Sequence, residues 1–121
     1  MTSILIVDDS PTEIHVLRTM LEKNGYNVSS ASSGEEGIEK AKTEHPDMIL
    51  MDVVMPGMNG FQAARQITGN PETSSIPVII VSTKDQETDK VWGLRQGAKD
   101  YITKPAVEKE LIAKISNILG G

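Results

Sequence analysis

Cysteine is absent from the 121-residue sequence. That excludes disulfides and thiolate metal sites, and it is compatible with a reducing cytoplasm. Aromatic residues make up only 3% of the chain: one tryptophan, one phenylalanine and two tyrosines. The six methionines are read as core filler or pocket rim rather than as a metal-binding set. There is no excess of positive charge. Twelve Lys and Arg face seventeen Asp and Glu, and the resulting net charge of −5 argues against general nucleic-acid binding. No apolar stretch approaches the roughly 20 residues of a membrane span, and Met1-Thr2-Ser3 lacks the basic region of a signal peptide. A soluble cytoplasmic protein without membrane insertion is expected. No internal repeat, low-complexity segment, linker or phosphate-cradling glycine loop is found. The two histidines, His15 and His45, are isolated and read as exposed helix positions, not metal ligands.

What is present is a set of short apolar runs that stop abruptly at polar residues. Ile4-Leu5-Ile6-Val7 stops at Asp8-Asp9, Met48-Ile49-Leu50-Met51 at Asp52, and Val78-Ile79-Ile80-Val81 at Ser82-Thr83. A shorter run, Tyr101-Ile102-Thr103, delivers Lys104-Pro105. Between these runs lie segments of helical period, and such alternation marks an α/β fold with a parallel sheet covered on both faces. Five units are read. Ser10-Pro11 caps helix one, with Val16, Leu17, Met20 and Leu21 as its inward stripe and Asn24-Gly25 as its end. Strand two covers Tyr26 to Ala31, and Ser33-Gly34-Glu35-Glu36 opens helix two, which Pro46 closes. Helix three runs from near Asn59 to about Thr68 with Phe61, Ala64 and Ile67 inward. Helix four runs from about Gln86 to Gln96 with Val91 and Leu94 on its core side, and Gly97 is its C-cap glycine. Helix five carries Leu111, Ile115 and Ile118 and ends at Gly120-Gly121. Residues 1–121 are therefore expected to form a single domain with no output domain.

In an open parallel sheet the strand ends form one crevice, where ligands bind. Asp8, Asp9 and Asp52 placed together repel one another unless a cation compensates. Mg2+ suits that place, because it takes one or two protein carboxylates plus water and phosphate oxygens. Asp52 kept ionised beside the ion is then a nucleophile toward phosphorus, and an acyl phosphate is its product. Lys104 supplies a compact positive charge, and Ser82 a hydroxyl donor, for the phosphoryl oxygens. Singly, each residue has a plainer reading: Asp8-Asp9 and Asp52 as turn or cap residues, Ser82 as a turn former, Lys104-Pro105 as a loop boundary. Together, each at the exit of a separate strand, they define phosphoryl chemistry.

Val7-Asp8-Asp9-Ser10, Met51-Asp52 through Asn59-Gly60, Val81-Ser82, and Gly97-Ala98 through Lys104-Pro105 occur in order over essentially the whole chain. In these motifs the sequence resembles the response-regulator receiver domains of the stand-alone CheY-like type. The resemblance implies a flavodoxin-like, doubly wound (βα)5 fold with five parallel strands in the order 2-1-3-4-5, an order carried over from the family itself. It also implies that Asp52 accepts a phosphoryl group from a sensor histidine kinase. Asp8, Asp9, Asp52 and the Val54 backbone carbonyl would hold Mg2+. Ser82 would be the switch hydroxyl and Tyr101 the switch aromatic, turning inward on phosphorylation and altering the face of helix four, strand five and helix five toward a downstream effector, a face that also allows dimerisation. Such a protein assists its own phosphorylation and dephosphorylation and is not otherwise an enzyme. Within the family the sequence is most similar to PilH-type regulators of type IV pilus twitching motility, partly through Val81-Ser82-Thr83-Lys84. A chemotaxis-like regulator or a phosphate sink for a paralogous regulator is the alternative.

Three positions depart from the family pattern. Ala106 stands where many relatives carry a bulky aromatic, Thr83 where a smaller side chain is common, and Val54 offers no polar group to order an attacking water. Val54 and Lys84, at the expected pocket rim, are read as setting the lifetime of the phosphorylated state. Trp92 is expected on the flank of helix four, partly exposed. Two further classes remain for comparison: an aspartate-nucleophile phosphohydrolase, which turnover of small phosphate esters would reveal, and a flavin carrier, which absorbance would reveal.

Overall fold

A computed structural model describes residues 1–120. Strands and helices alternate: β1 (Ser3–Val7), α1 (Pro11–Lys23), β2 (Asn27–Ala31), α2 (Gly34–Glu44), β3 (Met48–Met51), α3 (Gly60–Gly69), β4 (Val78–Ser82), α4 (Glu87–Arg95), β5 (Asp100–Thr103) and α5 (Glu108–Leu119). All strand pairs are parallel and the sheet order is β2-β1-β3-β4-β5. This is the expected doubly wound arrangement.

Because side chains of a strand alternate between faces, the apolar runs divide into two cores. Leu5, Val7, Ile49, Met51, Val78 and Ile80 pack with Phe61, Ala64 and Ile67 of α3. Ile4, Ile6, Met48, Leu50, Ile79 and Val81 pack with Leu17 and Leu21 of α1 and Leu111 and Ile115 of α5. Strands buried on both faces explain why the runs are continuously apolar. Ser10 and Ser33 accept N-terminal amides of α1 and α2, from Glu13 and Glu36. Asn59 and Gln62 exchange both bonds of a capping box at α3.

Several helix faces differ from the sequence reading. Val16 is exposed, and Ile14 packs inward on α1 instead. Ile118 of α5 is only partly buried, and Tyr26 precedes β2 rather than joining it. The larger correction concerns α4, where Val91 and Leu94 are 44% and 50% exposed. The face of α4 turned to the sheet is Gly93. A Cβ there would lie 3.1 Å from Cδ2 of Tyr101, so the helix approaches β5 closely enough that any side chain would press on the ring. Gly97 has the positive φ, 100°, of a helix-ending glycine, as expected. His45 is not within a helix but is the left-handed C-cap of α2, its Nε2 2.7 Å from the Glu72 carbonyl. Among the described residues no helix is long and apolar enough to cross a membrane.

Candidate functional site

Register decides which polar residues meet. Val7 pairs with Met51, so Asp8 and Asp52, each the next residue, leave the sheet side by side, and the Asp52 amide donates to the Val7 carbonyl at 2.9 Å. On the other side β4 pairs with β5, and the Lys104 amide donates to the Ser82 carbonyl at 2.8 Å, which brings Lys104 back toward the carboxylates. The Lys104–Pro105 bond is cis. The loop after Asp52 folds back tightly. The Gly60 amide donates to the Val53 carbonyl at 2.9 Å, and a Cβ on Gly60 would fall 1.8 Å from the Asp52 carbonyl oxygen, so only glycine fits there.

The expected Asp8, Asp52 and Lys104 therefore converge. Lys104 Nζ lies 2.8 Å from Asp8 Oδ2 and 3.4 Å from Asp52 Oδ1. Asp8 is buried and its Oδ1 also accepts the Ser10 amide at 2.9 Å. Asp9 is exposed at the mouth, yet Asp8, Asp9 and Asp52 each bring a carboxylate oxygen within 4.8 Å of the others. Burial and then the neighbouring Asp8 charge push the Asp52 carboxyl above its ordinary value, and Lys104 only partly opposes them. Burial alone would lower the Lys104 ammonium, but its bond to Asp8 and the charges of Asp52, Asp8 and Glu13 outweigh that and raise it. One cation thus leaves the buried carboxylate still unfavourably ionised. That imbalance, with oxygen-only donors, is what a small divalent cation would relieve, and the donor set fits Mg2+.

Ser82 is buried at the end of β4, and its hydroxyl accepts the Lys84 amide at 3.1 Å. Tyr101 is placed differently from expectation. Its ring is already inside, 8% exposed against the first core, and its hydroxyl donates to the Lys84 carbonyl at 2.7 Å. Gly93 leaves the space that the ring fills. Val54 projects its side chain into solvent from the loop after β3, Thr83 is exposed, and Ala106 packs partly against the second core. Trp92 is 48% exposed, as expected.

Two features escaped the sequence reading. Glu13 Oε2 lies 3.8 Å from Lys104 Nζ, so a fourth carboxylate borders the site. The Lys84 backbone joins Ser82 to Tyr101, its amide bonded to one and its carbonyl to the other. The Ser10-Pro11-Thr12-Glu13 spacing marks Glu13 as significant, but as a partner for Ser10 rather than for Lys104.

The description "response regulator receiver domain" matches residues 4–116. The chain belongs to that family. Protein PilH of Pseudomonas aeruginosa is 61% identical over 121 residues, with both chains covered completely. A crystal structure of a response regulator from Chloroflexus aurantiacus superposes with a TM-score of 0.94 at 32% identity, covering 99% of this chain and 98% of that one. The receiver also resembles a chain of the CheX–CheY–BeF3–Mg complex of Borrelia burgdorferi, with a TM-score of 0.91 and 28% identity over 97% of this chain and 88% of that one. The receiver is thus a response regulator of two-component signalling with a CheY-like fold.

Proposed function

We propose that the receiver is a phosphorylation switch in which Asp52 accepts a phosphoryl group from a sensor histidine kinase. The supporting observation is a buried carboxylate, Asp52, at a strand end, which shares the Lys104 ammonium with a second buried carboxylate, Asp8. Asp8, Asp9, Asp52 and the Val54 carbonyl are the residues to hold Mg2+. When bound, the ion screens the carboxylates and the phosphoryl oxygens from one another. Lys104 orients and neutralises the phosphoryl group, and Ser82 donates its hydroxyl to one of its oxygens. Asp52 attacks as the carboxylate, so no proton need be removed from it.

Output runs through the Lys84 backbone. When the Ser82 hydroxyl turns to the phosphoryl group it releases the Lys84 amide, and the carbonyl of the same residue is what holds Tyr101. The loop ahead of α4 then resets the α4, β5 and α5 face, a shift between two packings. That face carries Val91, Trp92 and Leu94 exposed, which suits a protein effector. The likeness to PilH supports a role in type IV pilus twitching motility. Transfer of label from a phosphorylated histidine kinase to the wild type but not to Asp52→Asn tests the reading. Equal labelling of both would refute Asp52 as acceptor.

A further inference from the structure

The first turn of α1 presents an incomplete capping box. Ser10 accepts the Glu13 amide at 3.3 Å, and in the complete motif the Glu13 carboxylate would return the bond to the Ser10 amide. That amide is already taken by Asp8 Oδ1 at 2.9 Å. Glu13 is left to face Lys104 Nζ at 3.8 Å, with its side chain 39% exposed at the mouth of the site. An ammonium has three donors, and Lys104 has three carboxylates around it at increasing distance: Asp8 at 2.8 Å, Asp52 at 3.4 Å and Glu13 at 3.8 Å. Asp8 and Asp52 are buried, whereas Glu13 is the partly exposed and most distant one, hence the one most cheaply displaced. Glu13 lies outside the group of carboxylates close enough to share an ion.

We propose that Glu13 is a placeholder for the phosphoryl group: a positioning residue that engages Lys104 in the resting chain and, by its charge at the mouth, disfavours small dianionic phosphodonors. This rests on Asp52 being the phosphoacceptor. With acetyl phosphate as donor, an Asp52 oxygen forms the new bond to phosphorus. The bond from phosphorus to the acetyl oxygen breaks, and acetate leaves with its electron pair. The Lys104 ammonium must follow the phosphoryl oxygens, and Glu13 must let it go. A donor of lower net charge, such as phosphoramidate, meets less repulsion from Glu13.

The test compares phosphorylation rates of wild type, Glu13→Gln and Glu13→Asp by intact mass, with acetyl phosphate and with phosphoramidate. Removing one charge at a partly exposed mouth should speed the acetyl phosphate reaction about three- to tenfold. The phosphoramidate rate should change less, Glu13→Asp should restore the wild-type preference, and added salt should narrow the gap. The Mg2+ concentration giving half-maximal thermal stabilisation should be the same in wild type and Glu13→Gln. Glu13→Ala carries the same comparison should the glutamine variant fold poorly. Equal rates with both donors, or a slower Glu13→Gln, would overturn the placeholder role while leaving Asp52 as acceptor. Weakened Mg2+ binding in Glu13→Gln would overturn it too, by making Glu13 an arm of the metal site. A wild type that forms no adduct with either donor would remove both readings.

Discussion

Asp52 is held at a cost to the fold. Its folded-state pKa lies above the ordinary carboxylate value, through burial and then the Asp8 charge. The folded chain therefore binds that proton more tightly than the unfolded chain. Stability falls as pH rises from the ordinary value, about 3.9, through the folded one. Asp52→Asn removes the penalty while keeping a side-chain oxygen for Lys104. Urea unfolding at neutral pH should show the variant more stable than wild type, with the gain shrinking as pH is lowered through the raised folded value toward about 3.9. A less stable variant at neutral pH would show that the Lys104 bond outweighs the burial cost. The Lys104 pKa is raised too, but there the charged form is the favoured one, so its contribution is intact below about 10.4 and is lost as pH climbs through the folded value above that. At this scale Asp8, Asp52, Ser82 and Lys104 were legible because each ends or follows an apolar run. Glu13 was not, because helical spacing predicts its capping partner and says nothing of the competing bond from Asp8.

At the scale of elements, two glycines decide how the site closes and how α4 docks. Gly60→Ala would drive a methyl into the Asp52 carbonyl, a backbone atom that cannot step aside. A loss of about 3 kcal/mol or more in urea unfolding is expected, at the upper end of overpacking costs. A near-neutral result would mean that the β3–α3 loop is free to move. Gly93→Ala is more finely balanced. Helix propensity favours alanine by about 1 kcal/mol, but the new Cβ meets the Tyr101 ring at 3.1 Å. In a Tyr101→Leu background the same change should be stabilising, and the difference between backgrounds measures the coupling of helix to ring. No difference would place the ring elsewhere. The sequence misassigned Val91 and Leu94 for a related reason. Periodicity finds an apolar stripe without saying whether sheet or partner covers it, and only the close approach at Gly93 shows that the sheet does not.

For the whole molecule, topology does what no single residue can. Parallel strands all point their C-terminal ends to one edge, so residues as distant in sequence as Asp8 and Lys104 become neighbours. That much of the fold follows from the alternation of apolar runs and helical segments, while the strand order came with the family likeness. The placement of Tyr101 did not follow, because the space its ring fills is set by the close approach of α4 at Gly93, which the apolar pattern does not give. Binding of Mg2+ to the folded chain alone should raise the unfolding free energy by about 2.7 kcal/mol at a hundredfold excess over its Kd. Asp9→Asn should weaken that gain without unfolding the protein, since Asp9 is exposed; an unchanged gain would exclude Asp9 from the metal site. The most direct measurement of the central claim is the intact mass after incubation with acetyl phosphate and Mg2+. A single phosphoryl adduct on the wild type, abolished by chelation of Mg2+ and by Asp52→Asn, is the predicted result. An adduct that survives in Asp52→Asn, or none in folded wild-type protein given acetyl phosphate or a phosphorylated kinase, would contradict the account.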